Sequence, residues 1–453
     1  MPPTNLLLVF ADQMRGQAMG CAGEGQLPTP HLDRLAAQGV RFTRACCNSP
    51  VCTPSRGTLL TGLYPHRHGA YVNDIPIRTD LSSLGTIFRD AGYATGYVGK
   101  WHLDGVPRDK FTPPGPRRLG FDAFWAVHNC THAYLSAFHY RDTDQRIPSQ
   151  GYEPEFQTGL ALDFLRRHAR EPFCLVLSWG TPHDPYQKMP DVYRRQFDPA
   201  AIRLRPNVPA EVAEASRRDI AGYYGHIVAL DEYVGRLMAT LDELRLAEDT
   251  LVVFTSDHGD MLGSQGLVRK QRPWEESIQV PLVVRHPGRI PAGRTSDELV
   301  SMVDLLPTLC GLTGIGGTGD MQGTDLSATM TGMAPGRDEV LLLNPCSVDD
   351  GRANPGWWGL RTPRHTYART LNGPWVLHDN QRDPYQMTNL VAQPEAAEWV
   401  RRLDARVLRA FEEIGDPVRP WQESLREMGL VEAWNTREEH FHGRSPGVAR
   451  PIR

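Results

Sequence analysis

Cys52 and Arg56 stand four residues apart in the run Pro50-Val51-Cys52-Thr53-Pro54-Ser55-Arg56-Gly57-Thr58-Leu59-Leu60-Thr61-Gly62. A cysteine becomes reactive when its sulfur sits in a positive field. Arg56 brings a full charge, and the entrance of a helix brings a partial one. Thr53-Pro54 predicts an extended or turning backbone after the cysteine. Gly57 to Thr61 predicts a short helix that Gly62 ends. A buried structural thiol in a Pro-containing turn is the competing reading. Two further sites carry metal-binding donor types. Asp12-Gln13 directly follows the apolar run Leu6-Leu7-Leu8-Val9-Phe10-Ala11, and Asp257-His258 directly follows Thr250 to Ser256. Ligands of open α/β sheets bind at the carboxyl ends of strands, so these acids are well placed for a cation. Gln13 offers a neutral oxygen, which a hard cation accepts at the cost of one negative charge in the site. Lys100 and His102 straddle Trp101 after the strand Ala94 to Val98; in an extended stretch they face one side, suited to anion binding and proton transfer.

The elements that must position these residues follow from periodicity. Asn5 to Ala11, Phe173 to Trp179, Thr250 to Ser256 and Val280 to Val284 are nearly continuous apolar runs, as in strands buried on both faces. Between them lie predicted helices: Thr29 to Gly39, Leu84 to Ala91, Gln157 to Arg170 and Arg217 to Leu246. Another begins at Val303. The fold class is α/β: a large domain, residues 1–335, with a mostly parallel central sheet flanked by helices. Gly311 to Gly336 reads as a linker. Residues 336–453 form a small C-terminal α+β domain with a short antiparallel sheet, the helix Ala397 to Ile414, and a tail carrying Trp421, Trp434 and Phe441. The tail aromatics predict docking on the same subunit or on a neighbour, which would make a homo-oligomer. Asp104 to Glu155 is rich in Pro, Gly and His without periodicity, and reads as loops over a site. His128, His132, Tyr134 and His139 are its candidate lining residues, with surface decoration as the alternative.

Composition excludes several classes. The 453 residues carry 49 basic and 53 acidic groups, a net charge of −4, so there is no basic footprint for nucleic acid and no polybasic membrane patch. The first apolar run is too short to span a membrane and lacks a basic leader. Eight cysteines in so long a chain do not make a disulfide framework, so a reduced, cytoplasmic protein is expected.

The Cys52 run closely resembles the type I sulfatase family of the alkaline phosphatase superfamily, and Gly92-Tyr93-Ala94-Thr95-Gly96-Tyr97-Val98-Gly99-Lys100-Trp101-His102 matches that family's other motif. The resemblance runs from Asn5 to about Leu390. It implies an alkaline-phosphatase-like fold, a bacterial origin, and hydrolysis of a sulfate monoester on a small molecule or sugar. Cys52 would be converted to formylglycine by a maturation enzyme, and the aldehyde hydrate would attack sulfur to give a covalent sulfated intermediate. Asp12, Gln13, Asp257 and His258, with position 52, would hold one divalent cation, calcium in the family. Arg56 and Lys100 would hold the nucleophile. His183, in Thr181-Pro182-His183-Asp184, would assist departure of the alcohol with Lys270, and His102 would take the proton from the remaining hydroxyl. Lys270 and Arg272 would bind the substrate anion. Arg56, Lys100, Lys270 and Arg272 make a basic cluster in a slightly acidic chain, which steers anions inward. Two rival readings remain at this level. One is a phosphonate monoester or phosphodiester hydrolase of the same superfamily, with which Gln13 is compatible; Cys-x-Pro-Ser-Arg favours the sulfatase. The other is an anion-binding homologue without chemistry.

Overall fold

A computed structural model describes residues 3–316, 319–346 and 356–442. Its strands in chain order are β1 (Asn5–Asp12), β2 (Val40–Cys46), β3 (Ala94–Lys100) and β4 (Phe124–His128), a two-residue ribbon of β5 (Phe138–His139) and β6 (Ile147–Pro148), then β7 (Phe173–Pro182), β8 (Thr250–Ser256), β9 (Leu282–Arg285) and β10 (Arg294–Ser301). Apart from the ribbon, these form one eight-stranded sheet in the order β10-β2-β9-β8-β1-β7-β3-β4. All neighbours are parallel except β9, which is antiparallel to both β8 and β2.

The apolar runs form strands because both of their faces find cover. Leu6, Leu8 and Phe10 of β1 enter one core, and Leu7, Val9 and Ala11 enter the other. Phe173, Leu175, Leu177 and Trp179 of β7 go to the second of these, and Cys174 and Val176 to the first. The helices in order are α1 (Pro30–Ala37), α2 (Cys52–Thr61), α3 (Pro65–His68), α4 (Leu84–Asp90), α5 (Glu153–Arg167), α6 (Asp191–Arg194), α7 (Ala213–Glu243), α8 (Glu275–Ile278), α9 (Leu305–Thr313) and α10 (Ser327–Thr331). On one face lie α1, α5 and the 31-residue α7, which buries Ile220, Ile227, Leu230, Val234, Leu237 and Leu241 at helical spacing. On the other lie α2, α4 and α9.

A second sheet follows, β11 (Val340–Asn344), β12 (Trp357–Arg361), β13 (His365–Thr370) and β14 (Gly373–Asp379), antiparallel in chain order. Leu341, Leu343, Trp358, Leu360 and Tyr367 pack on Leu403, Val407 and Phe411 of α11 (Ala397–Glu413). Val340, Leu342 and Trp357 pack on Cys46, Ile278 and Leu299 of the first unit. Two more helices, α12 (Trp421–Glu427) and α13 (Val431–His442), complete the described chain.

The structure corrects the expected elements in two places and chooses between the two dockings expected of the tail. The stretch 311–336 is not a loose linker. It holds the end of α9 and all of α10, and a Cβ at Gly323 or Gly336 would meet the backbone of Val303 or Leu299; residues 317–318 lie outside the described part. β4 lies within the stretch expected to be loop, where Trp125 and Val127 are buried. The tail packs on its own chain: Trp434 is buried with Tyr71, Val72 and Ile75; residues beyond 442 lie outside the described part. Among the described residues no helix is long and apolar enough to cross a membrane, and all eight cysteines are free.

Candidate active site

β1, β3, β7 and β8 run the same way, and β2 joins them because β9 reverses direction against both neighbours. Their carboxyl ends therefore share one edge. Pairing sets the stagger: Ala11 lies opposite Ser256, Asp12 opposite Pro182, and Gly99 opposite Ser178. Asp12, Lys100, His183 and Asp257 thus leave the sheet within a residue or so of one another. Gln13 and His102 turn away from their strands in left-handed conformations, with φ of 70° and 55°.

Cys52 is the first residue of α2, so the helix starts five residues earlier than expected. Pro54 fits in its first turn because the N–H it lacks would have had no intrahelical acceptor there. One turn on, the buried guanidinium of Arg56 knits the sheet edge together. Nη2 reaches Asp12 Oδ2 at 2.9 Å, Nε reaches Asp257 Oδ2 at 3.0 Å, and Nη1 donates to Lys100 O and Ser178 Oγ, both at 2.8 Å. Lys100 Nζ takes Asp12 Oδ2 at 2.5 Å and lies 3.9 Å from Cys52 Sγ. Burial alone would push the Cys52 thiol up, and so would Asp12. Lys100, Lys270 and His258 outweigh both and bring it down to about 5. The sulfur thus sits in a positive field set chiefly by Lys100, Lys270 and His258, whereas the sequence pointed to Arg56.

Asp12 Oδ2 and Asp257 Oδ2 are taken by these cations, while Asp12 Oδ1 lies 3.7 Å from His258 Nε2 and Asp257 Oδ1 accepts the N–H groups of Gln13 and His258 at 3.0 and 2.9 Å. One donor atom each from Asp12, Cys52, Asp257 and His258 lies within 4.8 Å of the others, and all four residues are buried. His258 Nδ1 is 2.9 Å from Gly259 O, which holds one ring proton there, and Nε2 lies 3.2 Å from Cys52 Sγ, so Nε2 is the nitrogen that would bind a metal once the ring has lost its second proton. Two carboxylate oxygens, an imidazole nitrogen and the atom at position 52 fit a divalent cation. Gln13 stands beside this set. Its amide nitrogen donates to Asp260 Oδ2 at 2.7 Å, and its oxygen accepts from Lys270 Nζ at 2.7 Å, so the neutral oxygen faces an ammonium.

Above these groups, Lys270 Nζ also donates to His183 Nε2 at 2.6 Å, while His183 Nδ1 faces Asp184 O at 2.8 Å. Burial and the neighbouring Lys270 hold His183 well below the usual imidazole range, so the ring is neutral and the shared proton rests on Lys270. His102 behaves in the opposite way. Burial would lower it, but Cys130 and Asp74 push it up to about 10. Asp74 Oδ1 lies 3.0 Å from His102 Nε2, and Arg108 grips the same carboxylate through two bonds of 2.8 Å. These groups open onto a cavity of about 160 Å³ that Cys52, Lys100, His102, His183 and Lys270 line together with Asn73, Arg108, His132, Asp184 and Arg269.

Arg272 does not line this cavity. Gln271, at φ 71° and with its N–H on Pro50 O, turns the chain after Lys270, and the backbone N–H of Arg272 donates to Ser277 Oγ. Arg269 and Arg108 are the guanidinium groups at the cavity. Of the four loop candidates, His132 reaches the site, stacked on His183 with ring centroids 4.4 Å apart. Tyr134 lies behind it and donates to Gly180 O and His183 O, both at 2.9 Å. His128 is buried 2.9 Å from Glu153, and His139 lies against Phe156. Asp74, Arg108 and Cys130 were not singled out from sequence, because no strand end or spacing marks them.

The family model for the sulfatases matches residues 4–315, and that for the N-sulphoglucosamine sulphohydrolase C-terminal region matches residues 263–413. The chain is 38% identical over 434 residues to an ulvan-active sulfatase from Formosa agariphila, covering 94% of this chain and 84% of the relative. It is 30% identical to an endo-4-O-sulfatase from Bacteroides thetaiotaomicron, covering 91% and 92%. The solved structure of the sulfatase yidJ from Bacteroides fragilis superposes with a TM-score of 0.85 at 30% identity, over 92% of this chain and 97% of that one. The chain therefore belongs to the sulfatase family of the alkaline phosphatase superfamily, as a sulfuric ester hydrolase.

Proposed function

We propose that the protein releases inorganic sulfate from a sulfated sugar, with formylglycine formed from Cys52 as the nucleophilic group and a divalent cation, calcium by family resemblance, held by Asp12, Asp257, His258 and position 52, with the Gln13 oxygen alongside. Once matured and loaded, the site gains a hydroxyl nucleophile and the positive charge that lowers its pKa. The chain's own residues do the rest. Arg56 and Lys100 neutralise Asp12 and Asp257, so the floor tolerates an anion. The Lys270 ammonium binds the sulfate and, through its contact with His183 Nε2, supplies the proton that the departing alcohol oxygen needs. His102 works at Nδ1, since Nε2 is committed to Asp74, and takes a proton only after losing the one Asp74 and Cys130 hold on it.

The observation that carries this reading is the convergence of Asp12, Cys52, Asp257 and His258 within 4.8 Å, beneath a cavity lined by Lys100, His183 and Lys270. The cavity accommodates the sulfate and little of the alcohol beyond it, since whole-ligand pockets run to about 300 Å³ or more. The rest of the substrate lies over the mouth, where Arg108, His132 and Arg269 meet it. Relatives named as an ulvan-active sulfatase and an endo-4-O-sulfatase support a sulfated saccharide. The test is sulfate release from a panel of sulfated sugars beside an aryl phosphonate monoester, with the mass of the Cys52 peptide measured on the same sample. A formylglycine mass and preferred sulfate release are expected, and Cys52→Ala should lower turnover by about 1,000-fold or more. Preference for the phosphonate, or full activity of the alanine variant, would overturn the reading.

A further inference from the structure

The segment after Asp416 takes no part in the reaction described above, yet its helix α13 reaches Arg108 at the mouth of the cavity. Leu425 of α12 and Trp434 of α13 are buried against Tyr71, Val72 and Ile75, and Trp421 lies 4.6 Å from Trp434, ring to ring. That packing seats the following turns of α13 beside residues 73 and 74. Arg437 Nε donates to Asn73 O at 2.8 Å from a position that is 4% exposed. The Phe441 ring lies 5.0 Å from the Arg108 guanidinium and 5.1 Å from that of Arg437.

The active site holds the same loop from the inside. Asn73 Oδ1 accepts from the Thr53 N–H at 2.9 Å, and the Asp74 N–H donates to Thr53 Oγ1 at 3.3 Å. Thr53 follows position 52 directly, and its hydroxyl donates to His102 O at 2.8 Å. Asp74 in turn binds both Arg108 and the His102 ring. Two loop residues therefore separate α13 from the nucleophile's helix and from the imidazole that handles its proton.

We propose that Arg437 and Phe441 are positioning residues: α13 clamps the Asn73-Asp74 loop and Arg108 from outside, and so fixes the His102 ring and the first turn of α2 for reaction. The proposal rests on the sulfatase reading of the site. Phe441 supplies a π face to two guanidinium groups, which an aliphatic side chain of similar bulk lacks. Phe441 is 37% exposed, so it contributes little to the core.

The experiment compares wild type with Phe441→Leu, Phe441→Tyr, Arg437→Ala and Arg437→Lys in the full-length enzyme. kcat and KM are measured on one sulfate ester and normalised to formylglycine content, together with the melting temperature. The His102 ring resonance is followed by NMR in metal-free, unmatured protein labelled at histidine. Phe441→Leu should lower kcat about fivefold with KM within about twofold, as loss of an orienting cation–π contact would. It should also shift the His102 resonance while the melting temperature holds. Phe441→Tyr should restore both readings. Arg437→Ala should lower kcat further, with partial rescue by lysine. Wild-type kcat and an unmoved His102 resonance in Phe441→Leu would overturn the proposal. So would a loss that follows the melting temperature and that tyrosine does not repair. If wild type released no sulfate, the functional reading would fail by itself, and the His102 resonance would still decide the role of α13.

Discussion

The floor and the mouth of the site carry similar charges but hold them differently. Asp12, Arg56, Lys100, Asp257 and His258 are fully buried, and each sits on a strand end or on a helix packed against the sheet. Arg108, Asp184 and Arg269 come from loops, with side chains 34%, 26% and 43% exposed. Charges removed from water interact strongly and leave little freedom to move, whereas charges at the surface are screened. The floor should therefore decide whether chemistry occurs, and the mouth should decide which alcohol is accepted.

Arg56→Ala should produce the largest effect. It leaves Asp12 and Asp257 facing each other without their shared cation, which costs about 3–5 kcal/mol when a buried ion pair is broken. Denaturant unfolding of the unmatured protein would measure the loss. A change below about 1 kcal/mol, the scale of an exposed pair, would show that floor and mouth do not differ in kind.

Asp74→Asn separates proton handling from fold. His102 must lose its proton before it can accept one, so turnover should rise with pH as the ring deprotonates. Asp74 and Cys130 raise its pKa to about 10. Removing the Asp74 charge lowers that pKa, so the rising limb of the kcat profile should move to lower pH, by about one unit or more. A limb that stays in place would assign it to another group.

Arg269→Ala should produce the smallest change. An exposed guanidinium at the mouth meets the substrate in its ground state and in its transition state alike. KM should rise by a few-fold, about what a screened charge contributes, while kcat holds. A large fall in kcat instead would move Arg269 from the mouth into the reacting set.

The same contrast explains what could be read from sequence. Strands such as β1 and β8 bury both faces, so their apolar runs are unbroken and the polar residue that follows each stands out. Asp12, Asp257 and His258 were legible for that reason, and His183 and Lys270 through the family resemblance. β2 and β10 were not read, because each alternates buried and partly exposed residues and includes charged ones, Arg41 and Arg44 in β2 and Arg294, Asp297 and Glu298 in β10. Arg272 was expected at the anion through the family resemblance, but it is not among the residues that line the cavity. Asp74, Arg108 and the α13 residues act through contacts between segments as many as 364 positions apart, which no local pattern records.

The central claim is that Asp12, Asp257 and His258 hold a cation against position 52. The measurement that meets it most directly is the metal content of purified, active protein and of its Asp257→Asn variant after identical dialysis against trace divalent cations. The account predicts about one divalent ion per chain in wild type, as four converging donors require, and its loss in the variant. Active wild-type protein that holds no divalent ion, or a variant that retains a full equivalent, would contradict it.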